Sequence, residues 1–325
     1  MSIQSNLCQR LNLKPAELMM LSVATSALII DLLLIIYKGA QVDSLAYAGL
    51  FALTLFLITV GMVYRISKRS ERIASALICT GAFLFFSACL SLFNYLLLPI
   101  SRPLIDVPIA AIDAMFGYHW PDIMHLAAEN LFISNIMKVA YLSTIPQFAM
   151  LVVVLGLTGR TRDLHVLIAS ITITATITIC FWGLFPTLGS TTMYVLPPEI
   201  WATVNPAVDE AYALELMRVA EHGPGVISPK EIRGLIGFPS YHAVLAFTAI
   251  YAARNVRFLS TIFLIINLLI LPGLFIHGGH HFLDLFGGLA VFLFGTLLAT
   301  RSIQDDTRQT VNGTDQEARS GAIGK

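Results

Sequence analysis

PSYHAVLAFTAIYAARNVRFLSTIFLIINLLILPGLFIHGGHHFLDLFGGLAVFLFGTLLAT runs from Pro239 to Thr300. It holds three apolar stretches, about Pro239–Ala253, Phe258–Ile276 and Phe282–Thr300, separated by two short polar breaks. A transmembrane helix needs roughly 20 mostly apolar residues. The last two stretches meet that length, and the first is short enough that extended ends or tilt are expected. The first break carries Arg254 and Arg257. The second reads His277-Gly278-Gly279-His280-His281-Phe282-Leu283-Asp284. A chain that crosses, turns at the arginines and crosses back brings Pro239-Ser240-Tyr241-His242 and His277–Asp284 to the same end of a helical hairpin.

The same pattern extends upstream. Apolar runs at about Leu18–Tyr37, Ala46–Tyr64, Ala74–Leu98, Ile136–Leu157 and Val166–Leu184 bring the expected total to about eight spans. The fold class is therefore an all-α polytopic membrane helical bundle. Composition agrees: 56% of the 325 residues are hydrophobic and only 12% charged, against about 25% charged in soluble chains. Mean hydropathy is +0.77. The net charge of zero gives no reason to expect nucleic acid as a partner. The first apolar run is too long for a signal-peptide core and reads as a first span. Cys79, Cys89 and Cys180 lie in apolar runs and, like Cys8, lack C-x-x-C spacing, so they read as small buried residues.

Basic residues set the expected orientation, since short cytoplasmic loops collect Lys and Arg. Arg65, Lys68, Arg69 and Arg72 share one connection, Arg160 and Arg162 another, Arg254 and Arg257 a third, and Arg301 follows the last run. These alternate connections fall on one side, so both termini are expected in the cytoplasm. The long connections, about Pro99–Asn135 and Pro186–Gly237, then lie outside, as in a bacterial inner-membrane protein with a periplasmic face. Each is expected to carry an amphipathic helix. One has Val208, Tyr212, Leu216 and Val219 as its apolar stripe. The other has Ile105, Ile109, Ile112 and Phe116, with Asp106 and Asp113 off the stripe. Residues 1–98 read as N-terminal transmembrane helices, 99–300 as a second membrane region that holds the polar breaks and 301–325 as a disordered cytoplasmic tail.

Ionisable groups at membrane depth cost about 2.5–3.5 kcal/mol at a helix centre, less near the ends, so they call for a function or a partner. His280 and Asp284 are four residues apart and share a helix face. A carboxylate there can accept one ring N–H and leave the other nitrogen free to attack. Pro239 suits the first turn of a helix, and the free N–H groups of that turn favour an anion such as phosphate. This proposes a phosphate pocket with a nucleophilic histidine, an orienting carboxylate and a second histidine as acid. A metal cluster of His277, His280, His281 and Asp284, or interfacial histidines without a catalytic role, remain open on spacing alone.

At these residues the sequence resembles the type-2 phosphatidic acid phosphatase superfamily, and more closely its branch related to inositol phosphorylceramide synthases. The superfamily carries P-S-x-H and, one helical hairpin later, H-x-x-x-D. Here these stand as Pro239-Ser240-Tyr241-His242 and His280-His281-Phe282-Leu283-Asp284, followed by Leu285-Phe286-Gly287-Gly288. The resemblance is firm over Gly237–Gly288 and weaker over Arg102–Pro121. It implies His280 as the nucleophile that forms a phosphohistidine, Asp284 as its support and His242 as the acid that protonates the leaving oxygen. It further implies Ser240 as a phosphate ligand, and chemistry without a metal or other cofactor.

Two departures stand out. Arg102-Pro103 could end the superfamily's first motif, K-x6-R-P, but Tyr95 occupies the Lys position. Gly273 and Leu274 replace the usual Ser-Arg pair ahead of the nucleophile. Arg102 and Arg233 are the candidates to supply the missing positive charge. His281 is expected to have a positioning role at most, and His277 to pack. The resemblance implies a lipid-phosphate phosphatase or phosphotransferase acting at the external face, with water, an alcohol or a sugar as acceptor. The alternatives are a transporter with a His/Asp proton relay or a metal-dependent membrane hydrolase.

Overall fold

In a computed structural model, the backbone is described for residues 13–323 and side chains through Gln304. The helices, in order, are α1 Pro15–Lys38, α2 Ser44–Ile66, α3 Glu71–Leu96, α4 Asp106–Met115, α5 Trp120–Glu129, α6 Leu131–Leu142, α7 Thr144–Leu157, α8 Thr161–Leu184, α9 Pro198–Val204, α10 Glu210–His222, α11 Tyr241–Ala253, α12 Arg257–His277 and α13 Phe282–Ile323. A two-residue parallel pair, β1 Gln41–Val42 with β2 Val226–Ile227, ties the first connection to the segment after α10.

Among the described residues, six helices are long and apolar enough to cross a membrane, or seven if the bent pair α6 and α7 is one span. The chain is thus a multi-pass membrane protein; of the eight expected runs six are single long helices, one is the bent pair and one is the shorter helix α11. The run Ile136–Leu157 is broken by a 47° bend between α6 and α7. The run at Pro239–Ala253 is a helix of 13 residues, which at about 1.5 Å per residue rises only about 20 Å. Pro239 is not in its first turn: Ser240 is the N-cap, its Oγ accepting the Ala243 N–H, and helix begins at Tyr241. Such a cap stabilises a helix by about 1 kcal/mol.

The centre of the bundle is built by α3 and α8, on which α1, α2, α7, α11 and α13 pack. Phe148, Leu151, Leu164, Ile168 and Phe263 are among the core side chains. Small residues let the backbones approach, as expected between helices in lipid. A Cβ on Gly61 would lie 2.7 Å from Ile78 of α3, and one on Gly81 2.7 Å from Ile58 of α2, a reciprocal seat between the two helices.

The two ends of the bundle differ in chemistry. At one end Arg65 is buried in a bidentate pair with Glu17 (2.6 and 2.9 Å) and also meets Glu71. Asp163 there faces Arg254 and Asn255. The connections rich in Lys and Arg all lie at this end. At the other end the β1–β2 pair, the segment 99–130, the segment 185–240 and the turn 278–281 meet. Lys38 Nζ donates to Leu96 O and Leu98 O at this end, at 2.6 and 2.8 Å.

Three further expectations meet the structure here. The stripe on α10 holds in part: Leu216 and Val219 are buried and Tyr212 half-buried, while Val208 precedes the helix. On α4 the aspartates lie off the side of Ile112 and Phe116, as expected; Asp106 and Asp113 are buried together with Ile109, while Ile112 and Phe116 are exposed. On a protein bordered by lipid the apolar side of a short helix can face outward, and ionisable groups turn to the interior. Of the cysteines, Cys79 and Cys89 are buried and Cys180 is exposed; Cys8 lies outside the described residues. In the tail expected to be disordered, the backbone of α13 continues as helix to Ile323, and no side chain beyond Gln304 is described.

Candidate active site

Three elements deliver the histidines. The α11 N-terminus presents Ser240 and His242, the turn after α12 presents His280, and the first turn of α13 presents Asp284. Close approach between α11 and α13 requires Gly288: a Cβ there would lie 2.6 Å from Ser240 O. The Ser240 N–H donates to Asp284 O at 3.1 Å, locking the two helix starts together.

His280 Nδ1 donates to Asp284 Oδ2 at 2.9 Å. With the proton on Nδ1, Nε2 carries the lone pair and accepts the Ser240 hydroxyl at 3.2 Å. Ser240 Oγ in turn accepts the Ala243 N–H at 3.3 Å. The chain of bonds fixes the ring's tautomer and its rotation. His242 stacks on Tyr141 at 4.4 Å between ring centroids, and its ring is 6.4 Å from that of His280. Both histidines border a small cavity of about 70 Å³, with Tyr141, Gly189, Thr191 and Gly278 in its wall.

A larger cavity of about 540 Å³ adjoins it, sharing Tyr212, Leu216, Gly234 and Leu235. It is lined by Arg218, Lys230 and Arg233 with Glu215 and Glu231. Arg218 is engaged by Glu215 at 2.6 Å, and the Arg233 guanidinium lies 5.0 Å over the Tyr212 ring. Tyr95, at the position where the resemblance expects Lys, uses its hydroxyl to accept the Arg233 backbone N–H at 2.7 Å. It shapes this cavity instead of charging the smaller one.

The structure therefore brings together His280, Asp284, Ser240 and His242. It does not bring Arg102 or Arg233 to them. Arg102 is exposed and borders neither cavity, and Arg233 sits in the outer one. His277 is buried with Nε2 2.8 Å from Ser134 O, in keeping with packing.

His281 has partners that sequence reasoning missed. Its Nδ1 is 3.1 Å from Asp113 Oδ2 and 3.2 Å from Ser190 Oγ, and its Nε2 is 3.4 Å from Asp106 Oδ1. Burial alone would pull its pKa down, but the two carboxylates outweigh that and raise it to about 9. His281 is thus an imidazolium at neutral pH. The signal was present: Asp106 and Asp113 are seven residues apart, two helical turns on one face. The ring nitrogens of His277, His280 and His281 point to separate partners and do not converge. Among the described residues the one group with metal-ligand spacing is Glu17, Cys79 and His165, at the opposite end, where Arg65 holds both Glu17 oxygens.

No curated protein and no solved structure matches the chain. A family model does, over residues 107–298. That match takes in more than half of the chain, including His242, His280 and Asp284, and on it the chain belongs to the PAP2 superfamily.

Proposed function

We propose that this protein is a membrane enzyme that transfers the phosphoryl group of a lipid phosphate through a phosphohistidine on His280. Phosphoester chemistry in general follows from the family; the finer reading is carried by one observation. His280 Nδ1 is committed to buried Asp284, Nε2 is left to the Ser240 hydroxyl, and the ring borders a cavity that His242 also lines. In the first step the Nε2 lone pair forms an N–P bond, the P–O bond to the leaving alcohol breaks, and a proton from the His242 ring passes to that oxygen. In the second, His242 takes the proton of water or an acceptor alcohol, the oxygen attacks phosphorus, and the N–P bond returns its pair to Nε2. Ser240 can turn its hydroxyl from Nε2 to a phosphate oxygen as substrate arrives.

The likeness to the inositol phosphorylceramide synthase branch favours transfer to an alcohol over hydrolysis. Arg233 and Lys230, in the outer cavity, suit the part of the headgroup that is not being attacked. The residues of the smaller cavity need no metal for these steps. Purified protein is expected to release phosphate, or transfer it to an alcohol, from at least one of labelled phosphatidate, an isoprenoid diphosphate and an inositol phospholipid, with a chelator present throughout. Turnover lost to chelator and restored by zinc would overturn the metal-independent mechanism. Turnover of none of the three would overturn the substrate class.

The site is proposed to face the periplasm or exterior, with both termini in the cytoplasm. Arg65, Lys68, Arg69, Arg72, Arg160, Arg162, Arg254 and Arg257 belong to the end opposite His280, as the bias of short cytoplasmic loops requires. A reporter active only outside the cytoplasm should work when fused after Gly225 and fail after Arg69. The reverse pattern would put the site on the cytoplasmic side.

A further inference from the structure

We propose that Asp106 and Asp113, acting through His281, are positioning residues for the phosphate chemistry of His280, holding the turn 278–281 against the segment 187–191 so that the His280 ring stays at the cavity wall. The inference rests on the reading of His280 as nucleophile.

The geometry is that of a clamp. Asp106 and Asp113 project from one face of α4 into the protein and are both buried. Asp106 accepts the backbone N–H groups of Leu188 (3.0 Å) and Gly189 (2.8 Å). Asp113 accepts those of Phe282 and Leu283, both at 3.0 Å, the free amides that open α13. The His281 ring lies between the carboxylates and is 1% exposed. Three segments distant in sequence are thereby joined around one imidazolium.

The turn is held at every residue from Gly279 on. Ser190 N–H donates to Gly279 O at 2.7 Å, and Tyr118 Oη donates to His280 O at 2.9 Å. The His281 N–H donates to Asp284 Oδ2 at 2.9 Å, the same oxygen that receives His280 Nδ1–H. Gly279 has φ +61, and a Cβ would lie 2.2 Å from Thr191, so the turn has no room to shift toward that segment. Asp284 thus sets the rotation of the His280 ring, and the clamp sets where its backbone stands.

Charge explains why His281 serves here and another ring residue would not. Buried carboxylates are costly unless paired and hydrogen-bonded. Four backbone N–H groups and one imidazolium meet that need. The titratable groups facing the ring are Asp106 and Asp113 from α4 and Asp284 from α13, with Tyr118 beyond; the segment 187–191 offers hydroxyls only. Loss of the His281 proton leaves two carboxylates across a neutral ring, so the clamp loosens as pH rises through the raised pKa near 9. A displacement of about 1 Å in a reacting group can cost about 100-fold in rate.

The test uses the full-length protein in detergent, Asp113→Asn and His281→Gln, and two readouts. One is kcat and KM against pH on the lipid phosphate that the wild type turns over best. The other is calorimetric binding of orthovanadate, a phosphate analogue that needs no turnover. Asp113→Asn should lower kcat about 100-fold with KM within about threefold, weaken vanadate, and move the alkaline limb of kcat down by about one pH unit or more. His281→Gln should lower kcat and abolish that limb, and it carries the test if Asp113→Asn fails to fold. Wild-type kcat in either variant would overturn the clamp, as would a lowered kcat with the limb unmoved. A wild type that neither turns over a lipid phosphate nor binds vanadate would overturn the reading of His280 itself.

Discussion

Replacing His280 with alanine is expected to lower turnover of a lipid phosphate by at least about 10⁴-fold, the scale on which nucleophile deletions act in covalent catalysis. The side chain makes two hydrogen bonds, to Asp284 and to Ser240. After its removal Asp284 Oδ2 still accepts the His281 N–H, and Ser240 still caps α11 through Ala243. Folding should therefore survive while chemistry is lost. The decisive measurement is acid-labile, base-stable incorporation of labelled phosphate into the protein on rapid quench. It should appear in the wild type and vanish in His280→Ala. Label retained on the variant, or turnover within tenfold of wild type, would mean that another group attacks phosphorus.

The second large effect concerns His242. General acid catalysis contributes roughly 10²–10⁴-fold, and its size depends on how much help the leaving oxygen needs. With a lipid alcohol as leaving group, His242→Ala should lose most of that factor. With a nitrophenyl ester the oxygen leaves unaided, so the first step should stay fast. The second step still needs a base for water, so phosphoenzyme should accumulate. The expected record is a burst of nitrophenolate equal to the enzyme present, followed by slow turnover. Equal losses on both substrates and no burst would remove His242 from the acid role and reduce it to the wall formed with Tyr141.

What the sequence made legible has a physical basis. Apolar runs report burial in lipid whatever their partners, so most of the helices could be read directly. His280 and Asp284 are one helical turn apart, and local spacing is enough to pair them. The match of Ser240 and His242 to the same end needs only one hairpin. The clamp was not read, because α4 is amphipathic in the opposite sense to a helix on a soluble core. Asp106 and Asp113 were placed off the apolar stripe, and nothing in the spacing says that this polar side turns to the interior. Arg102 and Arg233 were chosen for charge and nearness in sequence, and only the folded chain reveals that Tyr95 and Tyr212 hold the backbone of residues 233–234 in the outer cavity. The break between α6 and α7 was missed too, although Ser143, Thr144 and Pro146 stand at it.

The 13 residues of α11 have a bearing on where a substrate must travel. With Arg254 and Arg257 at headgroup level, about 20 Å of helix leaves His242 roughly 10 Å short of the far boundary of a 30 Å hydrocarbon core. On the proposed mechanism, phosphorus would react below the bilayer surface. A lipid whose head rests at the surface has to dip its phosphate to that depth. Its polar remainder would then stand in the adjoining cavity of about 540 Å³, so that this part of the lipid would meter the water reaching the proposed phosphohistidine.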